Sequence, residues 1–179
     1  MRLRKIIFWI FLLIVIDQAI KIVINTFFLE VQFEIIPSLF EFKPTFNDKH
    51  SYVNALLYKY FNMNLGLWFH IILFLSAQII ILILYGCLRD NISENKKLLD
   101  VAIIFQIAAV ICALIGNLIW EKGTLDFMYL KPLFVFDLKD LYLNSFAILF
   151  LIFTHKNRAK IKTVKFKDIV VYVENKLKK

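Results

Sequence analysis

Four apolar runs, about Lys5–Phe28, Leu67–Leu88, Leu98–Trp120 and Leu141–Thr154, alternate with polar stretches along the chain. Runs of this kind predict membrane helices, because roughly 20 residues at about 1.5 Å each cross the hydrocarbon layer. A soluble core could absorb one such run but not several. The fourth run is short for a span, so it needs Leu133–Phe136 or a tilt toward the core to help it across. Between the first two runs, VQFEIIPSLFEFKP alternates apolar and polar positions and is broken by Pro37 and Pro44, which predicts short strands. The polar and aromatic stretch that follows suits a surface resting on the membrane interface, or a plain connector. After His155 a basic tail ends in TVKFKDIVVYVENKLKK, which fits either a short strand or an amphipathic helix on lipid.

The expected fold is therefore an all-α integral membrane protein with four transmembrane helices and a small extracytoplasmic β-rich segment. A single domain spans 1–179, with the extracytoplasmic segment at about 29–66 and the basic cytoplasmic tail at about 155–179. The opening MRLRK and its apolar run resemble a signal peptide. No small-x-small cleavage site follows, and Asp17, Gln18 and Lys21 interrupt the run, so a retained first helix is expected.

Composition agrees with this picture: 60% hydrophobic and 16% aromatic residues with only four glycines exclude an ordinary soluble domain. The net charge of +8 sits at the ends of the apolar runs. That placement favours orientation by the positive-inside rule and attraction to anionic membrane lipid, not nucleic acid. Arg2, Arg4 and Lys5, the loop after the second run and the tail share one side if there are four spans. That side is cytoplasmic, and a bacterial-type inner membrane with both termini cytoplasmic is expected. Cys87 and Cys112 lie in apolar segments and suit small buried hydrophobes. His50, His70 and His155 form no metal pattern, and no metal or cofactor is called for.

The candidate chemistry gathers in Leu114–Asp140, which holds Glu121, Asp126, Asp137 and Asp140, four of the chain's fourteen acids. Carboxylates at the ends of spanning helices are functional candidates by default. On helix statistics alone Asp137 suits a solvated turn and Asp140 an N-cap. Trp120 suits an interface anchor. In the first run, Asp17 and Lys21 are four apart and share a helix face. An unpaired charge at mid-membrane costs roughly 2.5–3.5 kcal/mol, so the two are expected to pair, either as a snorkelling pair or in support of a site.

In order and spacing, Ile16–Phe153 resembles the lipoprotein signal peptidase (signal peptidase II) family. Asp17-Gln18 with Lys21 looks like D-Q-x-x-K, and Ile36-Pro37 with Phe40 and Asn47 looks like I-P…F…N. The family continues N-x-G where this chain has Asn47-Asp48-Lys49; Asn64-Leu65-Gly66 fits N-x-G but sits too late, so Asn47 is preferred on spacing. Gly116-Asn117 looks like the start of G-N-x-x-D-R, Leu125-Asp126-Phe127 like V-D-F, and Phe136–Asp140 like F-N-x-A-D, with Asp137 and Lys139 in place of Asn and Ala. The resemblance implies four membrane helices and an aspartic dyad at the outer membrane surface, which cuts the signal peptide of a lipidated prolipoprotein. Asp140 matches the second catalytic aspartate. The first has no counterpart: letter by letter Trp120 stands at its place, followed by Glu121, and counting back from Asp126 puts Asn117 there.

An aspartic peptidase needs two carboxylates around one water, one to take its proton and one to serve the carbonyl and the leaving amine. Asn117 can hold a water but cannot take its proton. Asp126 is the preferred substitute, with Glu121 as the other candidate. Asp126 also fits the family's own position, an acid accepting hydrogen bonds at a helix end. Asp17, Lys21, Asn47, Asn117 and Asp137 are expected to support the site or bind substrate. Two functions follow: a divergent membrane aspartic endopeptidase using Asp140 and Asp126, or a catalytically degenerate relative that binds lipoprotein signal peptides or a membrane partner without cleavage. A plain membrane scaffold explains the runs but not the ordered motifs. Carboxyl oxygens of Asp140 and a second acid within about 3–5 Å favour the enzyme.

Overall fold

The structure, a computed structural model, describes residues 1–49, 52–120 and 122–178. Helix α1 (Leu3–Val23) continues through a π-helical turn over Ile24–Phe28. Strands β1 (Phe33–Ile36) and β2 (Phe40–Asn47) and helix α2 (Tyr52–Phe61) follow, then α3 (Leu67–Asn91) and α4 (Lys96–Leu118). Next come β3 (Thr124–Leu130), β4 (Phe134–Phe136), α5 (Leu138–Lys156), α6 (Arg158–Ile161) and α7 (Phe166–Leu177). Three helical stretches, Leu3–Phe28, Leu67–Asn91 and Lys96–Leu118, are long and apolar enough to cross a membrane.

Helix α4 is the centre of the bundle, packed against α1, α5 and α3. Its inward face carries Ala108, Ala109, Cys112 and Gly116, small residues that let neighbouring backbones approach closely. Tyr142 of α5 fills the space beside Ala108 and Cys112 and donates its hydroxyl to the Leu13 carbonyl of α1 (3.2 Å). The outward faces of α1 and α3 keep Phe8, Phe11, Trp68, Ile72 and Ile79 exposed, as lipid-facing helices do. Both cysteines are buried and unpaired.

The bundle has a basic end and a sheet end. At the basic end, buried Asp100 accepts from Tyr85 Oη (2.7 Å) and Arg89 Nε (2.8 Å) and pairs with the Met1 ammonium. Leu88, Ile92, Leu99 and Phe153 pack beside it. At the other end lies one antiparallel sheet ordered β1-β2-β3-β4. Ile24, Leu125 and Phe127 form the core beneath it.

The expected helical body with a small sheet is present, but the placing of strands in 29–66 alone is corrected. Two strands come from each long connection, and the register pairs Thr45 with Asp126 and Asn47 with Thr124. Two glycines permit that join. A Cβ on Gly116 would come within 2.6 Å of Thr124 Oγ1, so only glycine lets the end of α4 meet the start of β3. Gly123 has φ +89° and lies against the Asn47 carbonyl, where a Cβ would come within 2.3 Å.

Three further expectations change. Leu133–Phe136 does not lengthen the fourth helix, because residues 134–136 pair with β3 and Asp137 begins the helix at Leu138. The stretch after Asp48 is not a plain connector: it contains α2, whose Asn54 is buried, bonding the Lys49 carbonyl, the Asn64 side chain and the Leu65 backbone. The tail is helical, resolving the choice between strand and amphipathic helix.

Candidate active site

Asp137 and Asp140 cap the start of α5 together. Asp137 Oδ1 accepts from the Asp140 amide (3.3 Å), while Asp140 Oδ2 accepts from the Asp137 amide (3.2 Å). Reciprocal bonds of this kind satisfy two helix-end donors at once. Asp137, not Asp140, is therefore the N-cap. It is also fully buried instead of solvated, because Lys21 reaches it from α1.

Strand β3 delivers Asp126 to the same place. Pairing of β2 with β3 sets Asn47 near it, and Asn47 Nδ2 donates to Asp126 Oδ2 (3.2 Å). Asp126 thus lies in a strand, not at a helix end. Oxygens of Asp126, Asp137 and Asp140 lie within 4.8 Å of one another. Lys139 Nζ sits among them, 3.0 Å from Asp126, 3.0 Å from Asp137 and 3.4 Å from Asp140. A metal ion in this acid cluster would have to displace that ammonium.

Beneath it lies a second cation. Lys21 Nζ is 2.9 Å from Asp17 and 2.5 Å from Asp137, and all three side chains are completely buried. The expected Asp17–Lys21 pair is present, and it belongs to a chain running from α1 to the α5 cap. Four carboxyls and two ammonium groups share this space. Burial pushes the Asp126 carboxyl above its ordinary range; Lys139 and the Asn47 hydrogen bond oppose this and Asp137 adds to it. Asp137 behaves in the opposite way. Burial alone would raise it, but Lys139 and Lys21 outweigh burial and hold it below the usual carboxylate range. One acid inclined to keep its proton thus stands beside one held ionised.

The cluster opens onto a cavity of about 540 Å³. Asn47, Thr124, Asp126, Lys139 and Asp140 line its polar end. Phe74, Ala77 and Ile81 of α3, Ala109, Val110 and Ala113 of α4, and Leu143 of α5 form its apolar length. It is a groove between spanning helices with carboxyls at its mouth. Asp140, with its side chain 38% exposed, is the most open of the three acids.

A family model described as signal peptidase (SPase) II matches residues 9–156. The chain belongs to the signal peptidase II family. Two solved structures, each described as a bacterial membrane enzyme obtained by the in meso method, share its fold. The one at 1.9 Å resolution has a TM-score of 0.62, 20% identity and coverage of 84% of this chain and 92% of its own. The one at 2.3 Å has a TM-score of 0.65, 20% identity and coverage of 92% and 95%. No curated protein sequence matches the chain.

Most of the family-like positions meet at this site. Asp17 and Lys21 support Asp137, Asn47 bonds Asp126, and Asp126 and Asp140 share Lys139. Asn117 is not among them: its amide donates to the Ala113 carbonyl one turn back (2.8 Å). Asn64, the alternative to Asn47, bonds Asn54 instead. Trp120 donates to Gln18 Oε1 (3.2 Å) and packs on Phe46. Glu121 lies outside the described residues. Lys139 is the central group that sequence reasoning missed. Its one signal was a cation standing between two acids, where the family pattern has alanine.

Proposed function

We propose that the protein is a divergent lipoprotein signal peptidase, a membrane aspartic endopeptidase in which Asp126 replaces the family's missing first aspartate. The observation that carries this reading is the approach of Asp126 and Asp140 oxygens within 4.8 Å at the mouth of an apolar groove. Asp140, the more open acid, takes a proton from a water held between the two. Asp126 donates to the leaving amide nitrogen as the tetrahedral intermediate collapses. The Lys139 ammonium offsets the negative charge that develops on the scissile carbonyl oxygen. The groove receives the apolar segment of a lipidated prolipoprotein, so the bond to be cut sits where hydrocarbon meets water.

In this reading α5 is the fourth span. Its 19 residues extend roughly 28 Å, close to the hydrocarbon thickness. The basic end of the bundle, with Arg89, Lys96 and the tail, faces the cytoplasm together with both termini, and the sheet lies on the outer surface.

A second reading, a relative that binds signal peptides without cutting them, is favoured by one observation: Lys139 is ion-paired with both acids and would restrain a base. Incubation of the purified protein with lipidated prolipoprotein separates the two. The peptidase releases the signal peptide, and Asp140→Asn abolishes release, a fall on the order of 10⁴, with the fold intact. Lys139→Ala also slows release if Lys139 stabilises the transition state. No release by the wild type, or full release by Asp140→Asn, removes the peptidase mechanism.

A further inference from the structure

The groove contains a polar feature far from the acids. In α4, Gln106 is 1% exposed and lines the cavity wall. Its Nε2 donates to Oε1 of Gln78 in α3 (2.9 Å). That single bond leaves Gln106 Oε1 and Gln78 Nε2 buried, and neither has a hydrogen-bond partner among the described residues. Exchanging oxygen and nitrogen in both amides leaves the same remainder, one free acceptor and one free donor.

Buried polar groups left without a hydrogen-bond partner are costly. A simple tie between α3 and α4 needs one donor and one acceptor, which the existing bond already supplies. Of the two glutamines, Gln106 lines the groove, where its free amide atom suits one half of a peptide group, which offers one N–H and one C=O. A helical peptide satisfies its own backbone and has no use for such a partner. An extended one does.

We infer that Gln106, held in place by Gln78, forms a subsite that bonds one backbone peptide group of a signal peptide, extended within the groove. This rests on the substrate reading proposed above. The position follows from the helix: Gly116, ten residues above Gln106 in α4, touches Thr124 at the level of the acids. Ten residues at about 1.5 Å each put the pair roughly 15 Å below the acids. At about 3.3 Å per extended residue, that is roughly four or five residues on the lipid-buried side of the scissile bond. Ala77 and Ala109 on the groove wall leave room for a backbone there.

The test uses the full-length protein in nanodiscs and a fluorescent lipidated signal peptide. A matched peptide series replaces one backbone amide at a time by an ester, which removes the N–H. The expected result is a single ester position that weakens wild-type binding about tenfold, the effect of one hydrogen bond. Gln106→Leu then binds the all-amide peptide about tenfold more weakly and is indifferent to that ester, a pattern that loss of packing alone does not produce. Gln106→Met, closer in shape, replaces it should leucine fail to fold. Wild-type binding with a flat ester series, or equal ester sensitivity in the variant, overturns the subsite and leaves the substrate reading standing. A wild-type protein that binds no signal peptide overturns both.

Discussion

Lys139 decides what each neighbouring acid can do. Its ammonium draws Asp126, Asp137 and Asp140 together, yet their responses differ. Asp137 has a second cation, Lys21, and stays ionised. Asp126 has only Lys139 and an amide against nearly complete burial, so its carboxyl is held above the usual range. The sign of the resulting pH effect follows. As pH rises past the ordinary carboxylate range, the unfolded chain releases the Asp126 proton first, and the folded state loses stability until its own raised value is passed. Thermal melts of wild type and Asp126→Asn across that window are expected to diverge in the variant's favour with rising pH. A gap that does not change with pH contradicts the raised value. Asp126 and Asp140 were legible as candidates because acids at helix ends are conspicuous. The burial of Asp137 was not, because the lysine that accounts for it lies on α1, at the far end of the sequence. Lys139 stood out only as a departure from the family's alanine, because the strand that brings Asp126 to it was not legible.

At the level of elements, the site depends on α1, β3 and the start of α5 being locked in register. Lys21 is the bolt, spanning Asp17 on its own helix and Asp137 at the α5 cap. Removing one partner from a buried ion network commonly costs about 3–5 kcal/mol, because the remaining charges are left uncompensated. Lys21→Met is expected to show a loss of that size. Adding Asp17→Asn removes one stranded charge, so the double variant should lose less than the sum of the singles in a thermal-stability cycle. Strict additivity contradicts a coupled network. The i, i+4 spacing made the Asp17–Lys21 pair readable from sequence, and alternation made β1 and β2 readable. The second half of the sheet was hidden, because residues 124–136 have meaning as strands only beside β2. Their joining rests on Gly116 and Gly123, whose missing side chains leave no hydropathy signal.

Across the whole molecule, three spans were plain from apolar length alone. The fourth helix is shorter, and its first turn is polar, since Asp137 and Asp140 cap it there. The family pattern survives in the placing of Asp17, Asn47, Asp126 and Asp140 around one groove mouth, although Trp120 stands where the family has its first aspartate. In the proposed function, a shifted acid pair leaves the groove, the helix bundle and the sheet in place. The central claim is that Asp126 has taken over the vacant chemical role. It is tested most directly by comparing rates of signal-peptide release from a lipidated prolipoprotein by wild type and Asp126→Asn. The account predicts release by the wild type and a fall on the order of 10⁴ in the variant. Equal rates in the two proteins would contradict it.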